Sequence, residues 1–212
     1  MTDIVLIGGG GHCKSCIQVI ETGSDYKIVG VLDLPETVGN NILDYNVIGT
    51  DAEIGTFDLS TAEYLVTVGQ IKSAALRRKL YEQVLGRGAK LATVVAKNAV
   101  VSRYAAVGLG SIIMHHTLVN SDVVIGANCI INNFANVEHD AEIGDHCHIS
   151  TGAMINGNVK IGEQVFVGSG AVVSNGLSIC GRAVIGAGSV VVTDISVPGI
   201  YLGNPAQLIR QL

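Results

Sequence analysis

Every sixth residue from Val101 to Val197 is valine or isoleucine, through seventeen consecutive hexads. When the hexads are counted from Ala99, this aliphatic residue occupies the third position. A period of six fits neither the 3.6-residue turn of a helix nor the two-residue alternation of a strand. It is typical of a left-handed parallel β-helix built from hexapeptides, which we predict for residues 99–200.

A second spacing shows how the hexads are arranged in coils. Gly108, Gly126, Gly144 and Gly162 all occupy the fourth position and are 18 residues apart. Three hexads therefore form one coil of a triangular prism, and one corner is kept as glycine. We expect these glycines to serve a tight corner with positive φ. Between five and six coils at strand spacing give a prism roughly 25 Å tall.

Residues 1–97 show a different pattern, in which short apolar runs alternate with amphipathic segments. This alternation predicts a small Rossmann-like domain with a parallel sheet and packed helices. The expected strands are Asp3–Ile7, Lys27–Leu32, Glu63–Val68 and Leu91–Val95, and the expected helices are Lys14–Glu21 and Ser73–Leu85. We predict two domains, residues 1–97 and residues 98–212, with Tyr201–Leu212 as a C-terminal cap on the solenoid.

Composition narrows the possible partners. The chain of 212 residues has 13 Lys and Arg against 18 Asp and Glu, a formal net charge of −5. This charge argues against a nucleic-acid partner, and no apolar run is long enough for membrane insertion. Five cysteines without a recognisable export signal suggest reduced thiols, so we expect a cytoplasmic protein.

A glycine-rich turn follows the first expected strand. Gly8, Gly9, Gly10 and Gly11 precede His12, and backbone N–H groups at such a turn suit a phosphate. The dinucleotide-binding pattern requires glycine at position 13, where Cys13 stands, so NAD is not expected. A tight turn without any ligand remains an alternative. Gln70 follows the third expected strand at the edge where such sheets bind ligands, and is a candidate substrate contact.

His139 is the candidate general base in the repeat. It occupies an outward fifth position, with Ser121 one coil below and Gly157 one coil above. Acyl transfer needs a base of near-neutral pKa and a donor at the developing oxyanion, which an imidazole and a backbone N–H can supply. Asp140 follows directly and could fix the imidazole tautomer. The alternatives are a solvated surface histidine and a surface charge.

The other histidines and cysteines do not predict a metal site. His115, His116 and His146 lack a compact ligand spacing with Cys129 and Cys147. The two cysteines are 18 residues apart at inward positions, which indicates stacked core residues. The pair Cys13 and Cys16 lies on an expected helix and is best explained by packing. We therefore expect no metal.

Four sequence segments carry a resemblance to a known family. They are Ile7–His12, Asn136–Asp140, Gly157–Gly162 and Gly203–Ala206. Together with the two-domain organisation, they resemble bacterial sugar acyltransferases of the sialic-acid O-acetyltransferase and UDP-4-amino-sugar N-acetyltransferase group. The resemblance covers nearly the whole chain. It implies a homotrimer with acetyl-CoA as co-substrate in the groove between neighbouring prisms.

The resemblance also implies roles in acetyl transfer. The residue matching His139 is the family's general base, and an acidic residue, usually glutamate, follows it where this chain has Asp140. The glycine matching Gly157 contacts the thioester carbonyl through its amide. The residue matching His148 lies near the acetyl group, although a packed interface histidine is the alternative. Asn132 matches a position near the reacting amine.

The same resemblance implies a nucleotide-sugar site in the first domain. The turn Gly8–Gly11 binds the nucleotide part in the family, and the residue matching His12 approaches the sugar diphosphate. Asp33 and Leu34, after the second expected strand, match positions near the base. Many relatives have a second acidic residue where Leu34 stands.

Three functions remain open at this stage. The first is an acetyl-CoA-dependent N-acetyltransferase acting on the 4-amino group of a nucleotide-linked amino sugar, by direct attack with His139 as base. The second is an O-acetyltransferase acting on sialic acid or another sugar. The third is a non-catalytic scaffold that binds a sugar nucleotide. The glycine turn favours the first over the second, and His139 with Gly157 argues against the third.

Overall fold

The computed structural model describes residues 1–55 and 62–212. The elements of its first part are β1 Thr2–Ile7, α1 Gly11–Glu21, β2 Tyr26–Leu32, a 3-10 turn Pro35–Thr37, β3 Asn41–Ile42, β4 Tyr45–Gly49, a second 3-10 turn Asp51–Glu53, β5 Glu63–Val66, α2 Ala75–Gly86 and β6 Lys90–Leu91. The strands form a six-stranded sheet with strand order β3-β4-β2-β1-β5-β6. The pairs in this sheet are parallel except β3 with β4.

The second part is the left-handed β-helix that the hexad period predicts, with three faces of stacked parallel two-residue strands. We name the faces by their surroundings. The docked face consists of Val94–Val95, Ile112–Ile113, Ile130–Ile131, His148–Ile149, Phe166–Val167 and Val184–Ile185. The apolar face consists of Val100–Val101, Leu118–Val119, Asn136–Val137, Met154–Ile155, Val172–Val173 and Val190–Val191. The polar face consists of Ala106–Val107, Val124–Ile125, Glu142–Ile143, Lys160–Ile161 and Ser178–Ile179.

The chain ends in a hairpin of Gly199–Leu202 and Gln207–Gln211, which extends the docked face. Third-position residues such as Ile131, Val137 and Ile149 form the prism core and are fully buried. The outward residues Ile112 and Ile130 of the docked face pack against the first domain. The site residues of the first domain are therefore held against the side of the prism.

One expected strand was wrong. Leu91–Val95 is two strands, because Lys90–Leu91 pairs with Glu63–Tyr64 in the first sheet, whereas Val94–Val95 pairs with Ile112–Ile113 of the prism. Residues 91–95 form one mainly apolar run in the sequence, so the sequence does not show where the chain leaves one sheet for the next. The pairing of the β-helix thus begins inside the range 1–97.

The expected reason for the corner glycines was also wrong. Gly108, Gly126, Gly144 and Gly162 do not have positive φ. A Cβ on Gly144 would lie 2.8 Å from the backbone nitrogen of Glu163 and from the carbonyl carbon of Gly162, so close approach of the next coil requires the glycine. Positive φ occurs instead at the sixth position of fourteen consecutive hexads, from Gly110 to Gly188.

Candidate active site

The glycine turn is exposed at Gly10 and Gly11, at the start of α1. Gly8 has φ of 102° and lies against Val68, so a side chain would be both strained and obstructed there. A Cβ on Gly10 or Gly11 would meet no atom of residues 1–55 and 62–212 within 4 Å, so the backbone is accessible at these two residues. The helix begins at Gly11 with no side-chain cap and no acidic residue in its first turn. Its free N–H groups and positive dipole end therefore suit a phosphate.

A small cleft of about 110 Å³ lies beside this turn, at the carboxyl ends of the strands. Its lining is mainly apolar, with carboxylates from Asp33 and Asp51. Leu34 is also part of the lining and is 58% exposed. Asp33 lies close to Gly9, where a Cβ would meet its carboxylate. The cleft can hold a flat ring between aliphatic side chains, with carboxylates to accept hydrogen bonds from it.

Four predicted site residues meet where the first domain contacts the docked face. We call His12, Gln70, Asn132 and His148 the interdomain cluster. His148 Nδ1 lies 2.6 Å from the carbonyl oxygen of Gln70, and its Nε2 lies 3.2 Å from Asn132 Nδ2. Since a carbonyl oxygen only accepts, Nδ1 carries the proton and Nε2 accepts from Asn132. The ring centroids of His12 and His148 are 6.2 Å apart.

Both histidines of the cluster are neutral at physiological pH. Burial, with Arg77 and His148 nearby, lowers the pKa of His12 to about 3. Burial also lowers the pKa of His148 to about 4, against the opposing effect of its hydrogen bond to Gln70. Of the cluster residues, His148 is 6% exposed and Gln70 is 3% exposed. Within this chain, His148 is thus a packed interface histidine with a fixed tautomer.

His139 and Asp140 form an exposed pair at the corner between the apolar and polar faces. His139 Nδ1 lies 2.7 Å from Asp140 Oδ2, so the shorter aspartate does reach the imidazole. The hydrogen bond that His139 Nδ1–H donates to the Asp140 carboxylate raises the pKa of His139 above its usual value. A carboxylate accepts at Nδ1, which leaves Nε2 free to take a proton. Asp140 has φ of 62°, a conformation that aspartate tolerates better than most residues.

Gly157 lies directly against the His139 ring. A Cβ at this position would be 2.8 Å from both Cε1 and Nε2 of the imidazole, so only glycine leaves the ring in place. In the described part of the chain, the Gly157 N–H donates no backbone hydrogen bond, whereas its carbonyl accepts one from Gly176. A proton acceptor and a free N–H donor therefore lie side by side, as addition to a carbonyl group requires.

The structure thus groups the predicted residues into two sets. One set joins the glycine turn, the Asp33 cleft and the interdomain cluster on the docked side. The other joins His139, Asp140 and Gly157 at the opposite corner of the prism. Within residues 1–55 and 62–212, no hydrogen bond or ring contact connects the two sets.

Sequence reasoning missed Thr67, Asp51 and Arg77. Thr67 Oγ1 lies 2.7 Å from the carbonyl oxygen of Gly8 and holds the turn. Arg77 is fully buried in α2 between the two domains. A signal for Arg77 existed, because Leu80 and Val84 follow it at helical spacing and place it on the buried face.

No group of three or more His, Cys, Asp or Glu in the described residues could hold a metal ion. Cys129 and Cys147 are buried in the prism core, and Cys13 and Cys16 are buried on α1. None of the helices described is long and apolar enough to cross a membrane.

Two family models match separate parts of the chain. The PglD N-terminal domain model matches residues 3–84, and the bacterial transferase hexapeptide model of six repeats matches residues 122–157. The acetyltransferase domain of PglB from Neisseria gonorrhoeae, in complex with acetyl coenzyme A, is 31% identical. That alignment covers 98% of this chain and 99% of the other, with a TM-score of 0.91.

The chain belongs to the family of bacterial hexapeptide-repeat sugar acetyltransferases. A mutant of perosamine N-acetyltransferase from Caulobacter crescentus, solved in complex with CoA and GDP-perosamine, is 30% identical, with a TM-score of 0.90. That match covers 98% of this chain and 97% of the enzyme. No curated protein matches the chain significantly. As a member of this family the chain is an enzyme, and the expected acyltransferase fold is confirmed.

Proposed function

We propose that this acetyltransferase transfers an acetyl group from acetyl-CoA to the 4-amino group of a nucleotide-linked amino-deoxy sugar. The observation that carries the proposal is the pairing of His139 with Asp140 directly against Gly157, in a chain that also has an open phosphate-binding turn. The solved relatives named above bind acetyl-CoA in one case, and CoA with GDP-perosamine in the other.

In the proposed reaction, the amine nitrogen attacks the thioester carbonyl carbon while His139 Nε2 accepts the amine proton. The Gly157 N–H donates to the carbonyl oxygen as negative charge develops on it. The carbon–sulfur bond then breaks, and His139 returns the proton to the CoA sulfur. The His139–Asp140 hydrogen bond stabilises the imidazolium that forms between these steps. Binding both reactants in one groove supplies their orientation.

The first domain supports a nucleotide sugar as the acceptor. The N–H groups of Gly10 and Gly11, which donate no backbone hydrogen bond within the described residues, suit the diphosphate, with neutral His12 beside them. The apolar cleft at Asp33, Leu34 and Asp51 suits the nucleoside. Asn132, bonded to His148, would contact the acceptor sugar. The role of His148 near the acetyl group, expected from the resemblance, stays part of the proposal.

A homotrimer with active sites between subunits is part of the same proposal. The apolar face presents Val100 and Met154, 63% and 50% exposed, with Leu118, Val172 and Val190 beside them. This row of apolar side chains, interrupted by Asn136, is typical of a protein–protein interface. A site completed by a neighbour would also bring His139 of one chain to the docked side of the next. The free thiols and the two substrates favour a cytoplasmic enzyme.

The experiment is acetyl transfer followed by mass spectrometry. The acceptors are UDP-, GDP- and dTDP-linked 4-amino-4,6-dideoxyhexoses and free sialic acid, each with acetyl-CoA. We expect one acetyl group to be added to an amino sugar, and a His139→Ala variant to be slower by roughly 10²- to 10⁴-fold. Acetylation of sialic acid alone would replace the proposal with O-acetyl transfer. A His139→Ala variant with full activity would remove His139 as the base.

A further inference from the structure

Arg77 is a buried cation between the two domains. It lies in the first turns of α2 and is 1% exposed. Burial lowers its pKa to about 10, so the guanidinium remains charged at neutral pH. Among the described residues no carboxylate forms an ion pair with it. A buried charge without a counter-ion is costly, and an aliphatic side chain of similar size would avoid this cost.

The guanidinium instead bridges backbone carbonyl groups of both domains. Its Nη1 donates to the carbonyl oxygens of Val66 and Val68, at 2.5 and 3.0 Å. Its Nε donates to the carbonyl oxygen of Asn128 in the prism, at 3.1 Å. The Asn128 side chain donates back to the carbonyl oxygen of Arg77, at 3.3 Å. One side chain therefore joins the end of β5, α2 and the prism.

The segment that Arg77 holds is the one that carries the substrate side of the site. Thr67, between the two carbonyl groups, donates its hydroxyl to the Ile7 and Gly8 oxygens at 3.0 and 2.7 Å. The carbonyl oxygen of Gln70, two residues after Val68, accepts a hydrogen bond from His148 Nδ1. A shift of this segment would therefore displace the glycine turn and release the His148 tautomer together.

Unpartnered polar atoms concentrate around the same place. Arg77 Nη2, His12 Nε2 and Gln70 Oε1 are buried, and none has a hydrogen-bond partner in the described part of the chain. The Arg77 charge acts on both His12 and His148. Buried donors and acceptors that remain open beside an anion site are typical of a site that is completed by its ligand.

We propose that Arg77 is a positioning residue that fixes the substrate-binding edge of the first domain against the prism. The inference rests on the proposed nucleotide-sugar site and gives that site a residue on which its geometry depends. Arg77 does not contact the reacting atoms, so its loss acts on nucleotide-sugar binding. Because His148 is proposed to lie near the acetyl group alone, binding of the rest of acetyl-CoA, placed at the His139 side of the prism, is nearly unchanged.

The test compares Arg77→Met and Arg77→Lys with Arg78→Met as the matched control. Arg78 is the next residue of α2, but it is exposed and pairs with Glu82. Calorimetric titration measures UDP, GDP, dTDP and acetyl-CoA against each folded variant. We expect Arg77→Met to weaken the best-bound diphosphate by about tenfold or more, with acetyl-CoA affinity within about twofold of wild type. Arg77→Lys keeps the charge but loses the planar guanidinium group, so its affinity for the diphosphate should lie between those of wild type and Arg77→Met.

Equal diphosphate affinity in a folded Arg77→Met variant, or equal loss of both ligands, would overturn the proposal. If the methionine variant does not fold, Arg77→Lys decides: an affinity for the diphosphate equal to wild type contradicts the positioning role. Nitrogen-15 histidine spectra provide a readout independent of substrate. The Nδ1-protonated form of His148 should be lost in the Arg77 variants and kept in Arg78→Met. Wild-type protein that binds no diphosphate would contradict the proposed function, and the spectra would still test Arg77.

Discussion

At the scale of single residues, the candidate site separates two kinds of histidine by environment. His139 is exposed with a carboxylate on Nδ1, and its pKa is raised. His12 and His148 are enclosed between the domains, and their pKa values are lowered to about 3 and 4. Only His139 of these three can therefore change its charge near neutral pH, as a base in proton transfer must.

Replacing Asp140 by asparagine should move the pH profile. A base acts when neutral, so kcat/KM should rise with pH through the His139 pKa. Because Asp140 raises that pKa, Asp140→Asn should shift the rise to lower pH and lower the plateau by roughly tenfold or more. Asparagine also accepts the positive φ at this position, so the fold should persist.

The pH dependence of kcat/KM for the variant and wild type checks this. Glu142→Gln is the control, because it removes an exposed carboxylate that pairs with Lys160 on the neighbouring strand. In Glu142→Gln, kcat/KM should rise over the same pH range as in wild type. An Asp140→Asn profile that coincides with wild type would show that the pair seen in the structure does not tune the base.

At the scale of elements, the hexad period predicts the faces of the prism but not the conformation of its corners. The period fixes which residues point inward, because third-position side chains share one core. The sixth position has positive φ with His116, Phe134 and Arg182 as well as with glycine. The residue types there therefore do not predict this backbone conformation. The fourth-position glycines are visible in sequence, but their cause, contact with the next coil, requires the three-dimensional stacking.

Gly144→Ala should therefore destabilise the prism. The added Cβ would lie 2.8 Å from backbone atoms of the coil above, which cannot move independently of their own strand. We expect a loss of roughly 1–3 kcal/mol, seen as a lower thermal midpoint by circular dichroism. Gly86→Ala is the control, since a Cβ there meets no atom of the described residues within 4 Å. A midpoint for Gly144→Ala equal to the control would argue against the close-approach explanation.

At the scale of the whole molecule, the sequence predicts both parts of the candidate site but not how they join. The motifs around His12 and His139 are local and readable in the chain. The contact of His148 with Gln70 joins residues 78 positions apart, and depends on how the first domain sits against the prism. Arg77 was missed because a charged residue on a helix is usually solvated, although its spacing from Leu80 and Val84 places it on the buried face. In the proposed trimer, the two sets of residues belong to neighbouring chains.

Met154→Asp should break the proposed trimer. Met154 is half exposed on the apolar face, and three carboxylates buried at one interface would be strongly unfavourable. We expect smaller species in size-exclusion chromatography with light scattering, together with loss of acetyl transfer. Val124→Asp, with 49% exposure on the polar face, is the control and should stay assembled. Assembly of Met154→Asp at wild-type size would contradict an interface on the apolar face.

The most direct measurement of the central claim is the identity of the acetylated atom. Wild-type protein is given acetyl-CoA and a pair of nucleotide-linked 6-deoxy sugars that differ only in a 4-amino or a 4-hydroxyl group, with UDP, GDP and dTDP in turn. The account predicts acetylation of the amino sugar alone, as an amide that resists mild alkali. An alkali-labile ester on the hydroxyl sugar, or transfer to neither acceptor, would contradict it.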